Sequence, residues 1–288
     1  MSAAVAQADG RQVEVVPFEI EHREELQRRA TITDWLPHAI ANDELTVHFQ
    51  PIVNALTTKV EGYEALVRGQ MFGEPLSPAE FIPVAEETGA IISIGEFVLQ
   101  TACDALPRLK GRNPYVSVNL SPVELSNIDL IDVTEQILID NQIDRRRIVF
   151  EVTEGATATE EGLAQLNRLR QLGVRIAIDD FGTGQSNLSY LKDLPAQILK
   201  LDRSLITPMT KDPDSAMLVS KAIELAHGLG MRVTAEGVET HEELLALRAV
   251  NCDLIQGWFT GRPGPIEDFL DLSIDVAHTV SRARRSHL

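Results

Sequence analysis

GLAQLNRLRQLGVRIAIDDFGTG (162–184) decides the fold class. Leu163, Leu166 and Leu169 recur at helical spacing, and Gly173 follows as a stop, because a helix commonly ends on a residue that tolerates a left-handed backbone. VRIAI is then an apolar run of strand length, closed by Asp179-Asp180 and the glycine turn Gly182-Thr183-Gly184. SAMLVSKAIELAHGLG runs into MRVTAE and repeats the order helix, glycine, strand. Such alternation predicts a parallel sheet covered by helices.

Working outward, β-prone runs end again and again on a carboxylate, an amide or a lysine. These are Gln50 in HFQPIV, Glu64 in VEGYEALVR, Asn119 in VSVNLS, Glu151 in VFEVTE, Lys200 in ILKLD, Glu236 in VTAEGVE and Gln256 in DLIQG. One unbroken run of such units predicts a (β/α)₈ barrel with its polar groups at the C-terminal strand ends. LTVHFQPIV (45–53) and VEGYEALVR (60–68), joined by NALTTK, read as an antiparallel hairpin, an irregular start for such a barrel. Ser77-Pro78-Ala79-Glu80 and Thr240-His241-Glu242-Glu243 are helix starts, with a capping hydroxyl and a glutamate three residues on. QVEVVPF reads as a short strand and EIEHREELQRRA as a linker helix. The organisation expected is a tail and linker over 1–35, the barrel over 36–275, and a basic tail over 276–288 carrying Arg282, Arg284 and Arg285.

The formal net charge is −17, from 26 basic and 43 acidic residues. So acidic a surface repels polyanions and argues against a duplex DNA or RNA partner, though bound divalent cations would invert the field locally. Cys103 and Cys252 have no metal-type or CxxC spacing and read as reduced core thiols of a cytoplasmic protein. No apolar run is long enough to span a membrane, and the N-terminus lacks a signal-peptide core.

Oxygen donors select hard cations, Mg²⁺ or Mn²⁺. Glu64, Asn119, Glu151 and Asp179 would supply one six-coordinate ion with waters, and Asp180 adds oxygens for a second. Two such ions clamp the attacking and leaving oxygens of a phosphoryl displacement. Lys200 suits a phosphate oxygen or a metal-bound hydroxide. Arg68 shares a strand face with Glu64. Each of these taken alone reads as structural; Glu154 could be a surface carboxylate and Asp179-Asp180 a loop cap. The set at successive strand ends shifts the balance. A zinc site lacks HxH or HExxH spacing, a serine hydrolase lacks its Gly-x-Ser-x-Gly elbow, and a P-loop lacks GxxxxGK[ST]. Paired acids also cleave glycosides, but two tryptophans and three tyrosines are few for sugar platforms.

FQPIV, EALVR, SPAEFIPVAEETG, VSVNLSP, EVTE, IAIDDFGTG, LKLDRS, AEGVET and CDLIQG occur in this order over roughly residues 36–270. In them the chain resembles the EAL domain family of cyclic-di-GMP phosphodiesterases. The resemblance implies a modified TIM barrel with one antiparallel strand. It implies hydrolysis of one 3′–5′ bond of cyclic di-GMP to linear pGpG, with two Mg²⁺ or Mn²⁺ ions. Position by position, Glu64, Asn119, Glu151 and Asp179 match ligands of the first metal, and Asp179 with Asp180 those of the second. Lys200 matches the lysine that positions the attacking water. Glu236 matches a glutamate that supports metals or water and is a candidate base. Gln256 completes the pocket, Gln50 and Arg68 match substrate contacts, Asp202 contributes near them, and Glu154 anchors the loop after Asp180. Gln185 departs from the tyrosine usual in that loop, and Gly69 from a common tryptophan. The resemblance also implies a homodimer, and residues 3–18 look like the end of a GGDEF domain, so the chain reads either as the C-terminal half of a longer protein with an upstream GGDEF or sensory domain or as a descendant that lost that half. The rival reading is a catalytically silent cyclic-di-GMP receptor acting through a protein partner; a scaffold using the barrel only for protein contacts ranks below both.

Overall fold

The computed structural model describes residues 6–8, 11–13, 16–157, 159–183 and 191–270. The basic tail, Gln185 and most of the loop that Glu154 was expected to anchor lie outside the described residues. The chain forms two compact units. One comprises the described residues through Leu45 together with Arg68–Ile91, the other Thr46–Val67 and the described residues from Ile92 on.

In the smaller unit, Ala6–Ala8 and Arg11–Val13 pair as a short antiparallel hairpin. Within QVEVVPF, Gln12 and Val13 are strand, and from Val16 the backbone is helical and stays so to Ala39. Pro17 is compatible with this because a first-turn N–H has no intrahelical acceptor to lose. The C-terminal end of this helix buries Ile32, Trp35, Leu36 and Ala39, and Trp35 meets Phe81 of the helix Pro78–Thr88 edge to face at 5.8 Å. Ser77 caps that helix as its sequence predicts, accepting from the Ala79 amide.

The larger unit holds a closed barrel. Its strands are β1 (Leu45–Asn54), β2 (Val60–Met71), β3 (Tyr115–Asn119), β4 (Ile148–Thr153), β5 (Arg175–Phe181), β6 (Ile198–Leu201), β7 (Arg232–Ala235) and β8 (Leu254–Ile255). Consecutive strands are neighbours throughout, and β1 pairs with both β2 and β8, which closes the ring. β2 through β8 are parallel, while β1 runs antiparallel to β8, with Ile255 opposite Val53. The hairpin and the single reversed strand expected from the sequence are both present. The short strand Glu74–Leu76 extends the far end of β2.

Helices Leu130–Asp140, Glu160–Leu172, Pro213–Gly228 and His241–Ala249 return the chain between successive strands. Glu160–Leu172 buries Leu166 and Leu169 and ends at Gly173 with φ +103°. Thr240 and Glu243 form the expected capping box. A second box, Ser121 with Glu124, starts a single helical turn after β3; the S-x-x-E signal was in the sequence and went unread.

Ile52, Tyr115, Val149, Ala177, Ile198 and Leu254 fill the barrel as one apolar layer. Tyr115 enters where β2 offers Gly62: a Cβ at residue 62 would lie 2.5 Å from the tyrosine ring. Gly62→Ala should therefore destabilise the fold by about 2 kcal/mol through overpacking. Chemical denaturation measures this, and an unchanged midpoint would refute the packing argument.

Candidate active site

The C-terminal strand ends gather the acidic residues. Glu64 is on β2, and Asn119 and Glu151 stand opposite one another on β3 and β4. Asp179 and Asp180 end β5, Lys200 is on β6, and Glu236 and Gln256 directly follow β7 and β8. On a regular strand, adjacent residues face opposite sides. Asp179 and Asp180 escape this because β5 advances from Ile178 to Phe181 while β6 advances only from Leu199 to Leu201, a one-residue bulge. Asp180 takes φ +56° there, a conformation aspartate tolerates better than most residues. The Asp179 carboxylate accepts the Asp180 amide at 2.9 Å. As a result, carboxylate oxygens of Asp179, Asp180 and Glu236 lie within 4.8 Å of one another.

The Lys200 ammonium sits at the centre. It is 2 % exposed, lies 2.5 Å from Glu151, 2.7 Å from Glu236 and 3.1 Å from Asp179, and is 3.8 Å from Glu64. Burial alone would lower its pKa, but the surrounding carboxylates outweigh burial and hold it well above the ordinary lysine value. Lys200 is thus a fixed cation and donor, not a base.

Around it the acids differ. Glu64 accepts from Asn119 at 2.8 Å and from Gln256 at 2.6 Å. Burial pushes its pKa up, yet Lys200 and these amides together bring it below the usual value. Glu151 has no such amides; burial and the nearby carboxylates push it well above normal despite Lys200. Burial, reinforced by Asp179 and Glu64 against the pull of Lys200, raises Glu236 to about 7. Asp180 is raised by burial and by Asp179.

Gln256 also donates to Gln50 at 3.1 Å, and Gln50 donates to the Gly261 carbonyl at 3.0 Å. The Gln256 Oε1 is buried and accepts no hydrogen bond among the described residues. An open cleft of about 280 Å³ lies over this cluster.

Gln50, Glu64, Asp179, Lys200, Glu236 and Gln256 all line the cleft. Asn119 joins them through Glu64, and Glu151 through Lys200. Asp202 does not line it; its carboxylate accepts the Ser204 amide at 2.9 Å and caps the turn Arg203–Ile206. Glu154 opens the 3₁₀ turn Glu154–Thr157. Arg68, half-buried, belongs to the smaller unit and follows Glu64 by four residues on β2. Three further lining residues escaped the sequence reading: Arg203, Glu239 and Trp258. Arg203 pairs with Glu239 at 2.8 Å. Trp258 is half-exposed, with the Arg262 guanidinium 4.5 Å from its ring centre. The one available signal was its place two residues after Gln256.

The donor set suits a hard divalent cation. Four carboxylates face the Lys200 ammonium, Asp180 stands beside Asp179 and Glu236, Asn119 and Gln256 add amides, and the buried Gln256 oxygen accepts no hydrogen bond among the described residues. Cys103 and Cys252 lie outside the site, and burial pushes both thiols up to about 12. Among the described residues no helix is long and apolar enough to cross a membrane.

A closed barrel with an acid-lined C-terminal mouth and a buried lysine defines a class of metal-dependent barrel proteins. Within it, this chain belongs to the EAL domain family, whose pattern it matches over residues 33–263. It is 36 % identical over 259 residues to the bifunctional diguanylate cyclase/cyclic di-GMP phosphodiesterase MucR of Pseudomonas aeruginosa, an alignment covering 88 % of this chain and 38 % of MucR. It is 37 % identical over 244 residues to the cyclic di-GMP phosphodiesterase NbdA of the same organism, covering 82 % of this chain and 31 % of NbdA. The structure of the PaMucR phosphodiesterase in complex with c-di-GMP superposes with a TM-score of 0.77 at 36 % identity, over 83 % of this chain and 99 % of that one. The chain spans about a third of the length of the curated relatives it matches.

Removing the central cation tests the electrostatic account. Lys200→Met should cost metal-free protein about 3–5 kcal/mol near neutral pH, the range for breaking a buried ion pair. Glu151 and Glu236, already raised above the ordinary carboxyl value beside Lys200, lose its pull in the variant, so the repulsion they add is absent at low pH and grows as pH rises. The deficit should shrink on acidification. A deficit below about 1 kcal/mol at neutral pH would contradict the assigned role of Lys200.

Proposed function

We propose that this domain hydrolyses one 3′–5′ phosphodiester bond of cyclic di-GMP to give linear pGpG. The observation that carries this reading is the convergence of Glu64, Glu151, Asp179 and Glu236 on the Lys200 ammonium beneath an open cleft. The family membership and the c-di-GMP complex of a related domain support it.

Glu64, Asn119, Glu151 and Asp179 would hold one Mg²⁺ or Mn²⁺, and Asp179, Asp180 and Glu236 a second. When bound, such ions supply Lewis acidity toward a phosphoryl oxygen and toward water. The protein supplies the rest. Lys200, fixed as a cation, donates to a phosphate oxygen or to the attacking water and neutralises charge that develops in the transition state. Glu236, 2.7 Å from Lys200 and at the edge of the cleft, is the candidate base toward that water. Gln256 holds Glu64 and Gln50 in place. Trp258, backed by Arg262, offers a flat apolar face for a guanine base. The acidic mouth repels the bis-anionic substrate until cations bind, so metal loading precedes productive substrate binding.

Chromatography of the products separates the alternatives. With Mg²⁺ or Mn²⁺ the protein should convert cyclic di-GMP to pGpG, and chelator should stop it. Glu64→Ala should lose at least about a hundredfold in turnover, as expected when a ligand that positions the reacting groups is removed. Tight binding without turnover would instead mark a receptor. Parent-like cleavage by Glu64→Ala would overturn the site assignment.

Trp258→Ala should raise KM by roughly fivefold to 150-fold while leaving kcat within about twofold, because stacking contributes on the order of 1–3 kcal/mol per base and is present before and during reaction. A fall in kcat at unchanged KM would contradict this role.

A further inference from the structure

The opposite end of the barrel carries a cleft of contrary charge. It opens at the N-terminal ends of the strands and has a volume of about 770 Å³, within the range of small-molecule pockets. Lys59, Arg112, Arg146, Arg147, Arg175 and Arg232 line it, against two carboxylates, Glu61 and Asp144. In a chain of net charge −17 this is a local reversal of sign.

A set of arginines serving structure alone would each be spent on a carbonyl or a carboxylate. Three are: Arg147 donates to the Pro114 and Leu106 carbonyls, Arg232 pairs with Glu61 at 2.7 Å, and Arg146 with Asp144 at 2.8 Å. The other three cations are not. Lys59 and Arg112, both exposed, form no ion pair among the described residues. Arg175 lies over the Tyr115 ring at 4.5 Å, and its buried Nε finds no acceptor among the described residues. Like charges gathered without counter-charge repel one another, and a bound anion would relieve that repulsion. Guanidinium groups match phosphate oxygens in bidentate geometry, and a cleft lined by one sign concentrates the opposite ion even on a molecule of unfavourable net charge.

We propose that this N-terminal cleft binds a small molecule carrying linked phosphate groups, at a site separate from the acidic mouth. The size admits a nucleoside di- or triphosphate. Lys59, Arg112 and Arg175 would contact the phosphates, with Arg232 able to exchange Glu61 for ligand. Nothing in this assignment depends on hydrolysis of cyclic di-GMP.

The test is calorimetric titration of the whole chain with ATP and, separately, with inorganic tripolyphosphate, in chelator so that the acidic mouth holds no divalent cation. One saturating site for ATP is expected, weakened by rising salt, and weakened at least about tenfold in Lys59→Glu/Arg112→Glu, a change of about 1.4 kcal/mol. Both residues are exposed, so the variant should keep the parent melting temperature and cyclic-di-GMP turnover. Glu64→Gln, altered at the other end, should bind like the parent. Tripolyphosphate binding at the same site would show that the phosphates suffice, and ATP binding alone that the nucleoside contributes; either supports the site. No saturable binding of either probe, parent-like binding by the double variant, or loss of binding in Glu64→Gln would overturn it.

Discussion

A buried ammonium surrounded by carboxylates is the constraint from which the rest of this structure follows. A lysine is costly to bury, and several carboxylates close together are costlier. Each makes the other tolerable. Lys200 reaches Glu64, Glu151, Asp179 and Glu236 from the strand β6, so its side chain ties together groups carried by β2, β4, β5 and the end of β7. The balance is nevertheless incomplete, since one ammonium faces four carboxylates and Asp180 lies beside two of them. The excess negative charge suits the site to divalent cations without an apolar cavity or a preformed phosphate loop.

The barrel provides the geometry. Seven parallel strands and one reversed strand bring the ends of β2 through β8 to a common rim. An apolar layer, from Ile52 to Leu254, fills the barrel. A single irregularity then does what regular strands cannot. The bulge at Asp179–Asp180 turns two adjacent carboxylates toward one centre, at the cost of a left-handed backbone at Asp180. Strain of this kind concentrates at functional sites.

Much of this was legible in the sequence, for a physical reason. An apolar strand that ends on a single charged or amide residue is costly unless that residue has a partner, so Glu64, Glu151 and Lys200 announce themselves singly, and their repetition announces a ring. The reversal at β1 was legible because NALTTK is too short for a helical crossover. Other features depend on several segments at once. The bulge is a mismatch between two strands and leaves no mark on either. Trp258 gains meaning only from Arg262 beside it. The basic cleft draws its cations from the starts of five strands, so no contiguous run reveals it. QVEVVPF begins as strand and ends in helix, and alternation over a few residues does not separate a strand from the first turn of a helix. Asp202, which the family resemblance puts near the pocket, caps the turn Arg203–Ile206 by accepting the Ser204 amide.

The central claim is that the acidic ring around Lys200 is a site for divalent cations. Mn²⁺ titration followed by electron paramagnetic resonance tests it most directly, because bound and free Mn²⁺ give distinct signals without any substrate. The parent protein should bind Mn²⁺ saturably, and Asp179→Asn, which alters both carboxylate sets at once, should bind it markedly more weakly. Parent protein that leaves Mn²⁺ free, or an Asp179→Asn variant that binds it as tightly as the parent, would contradict the claim.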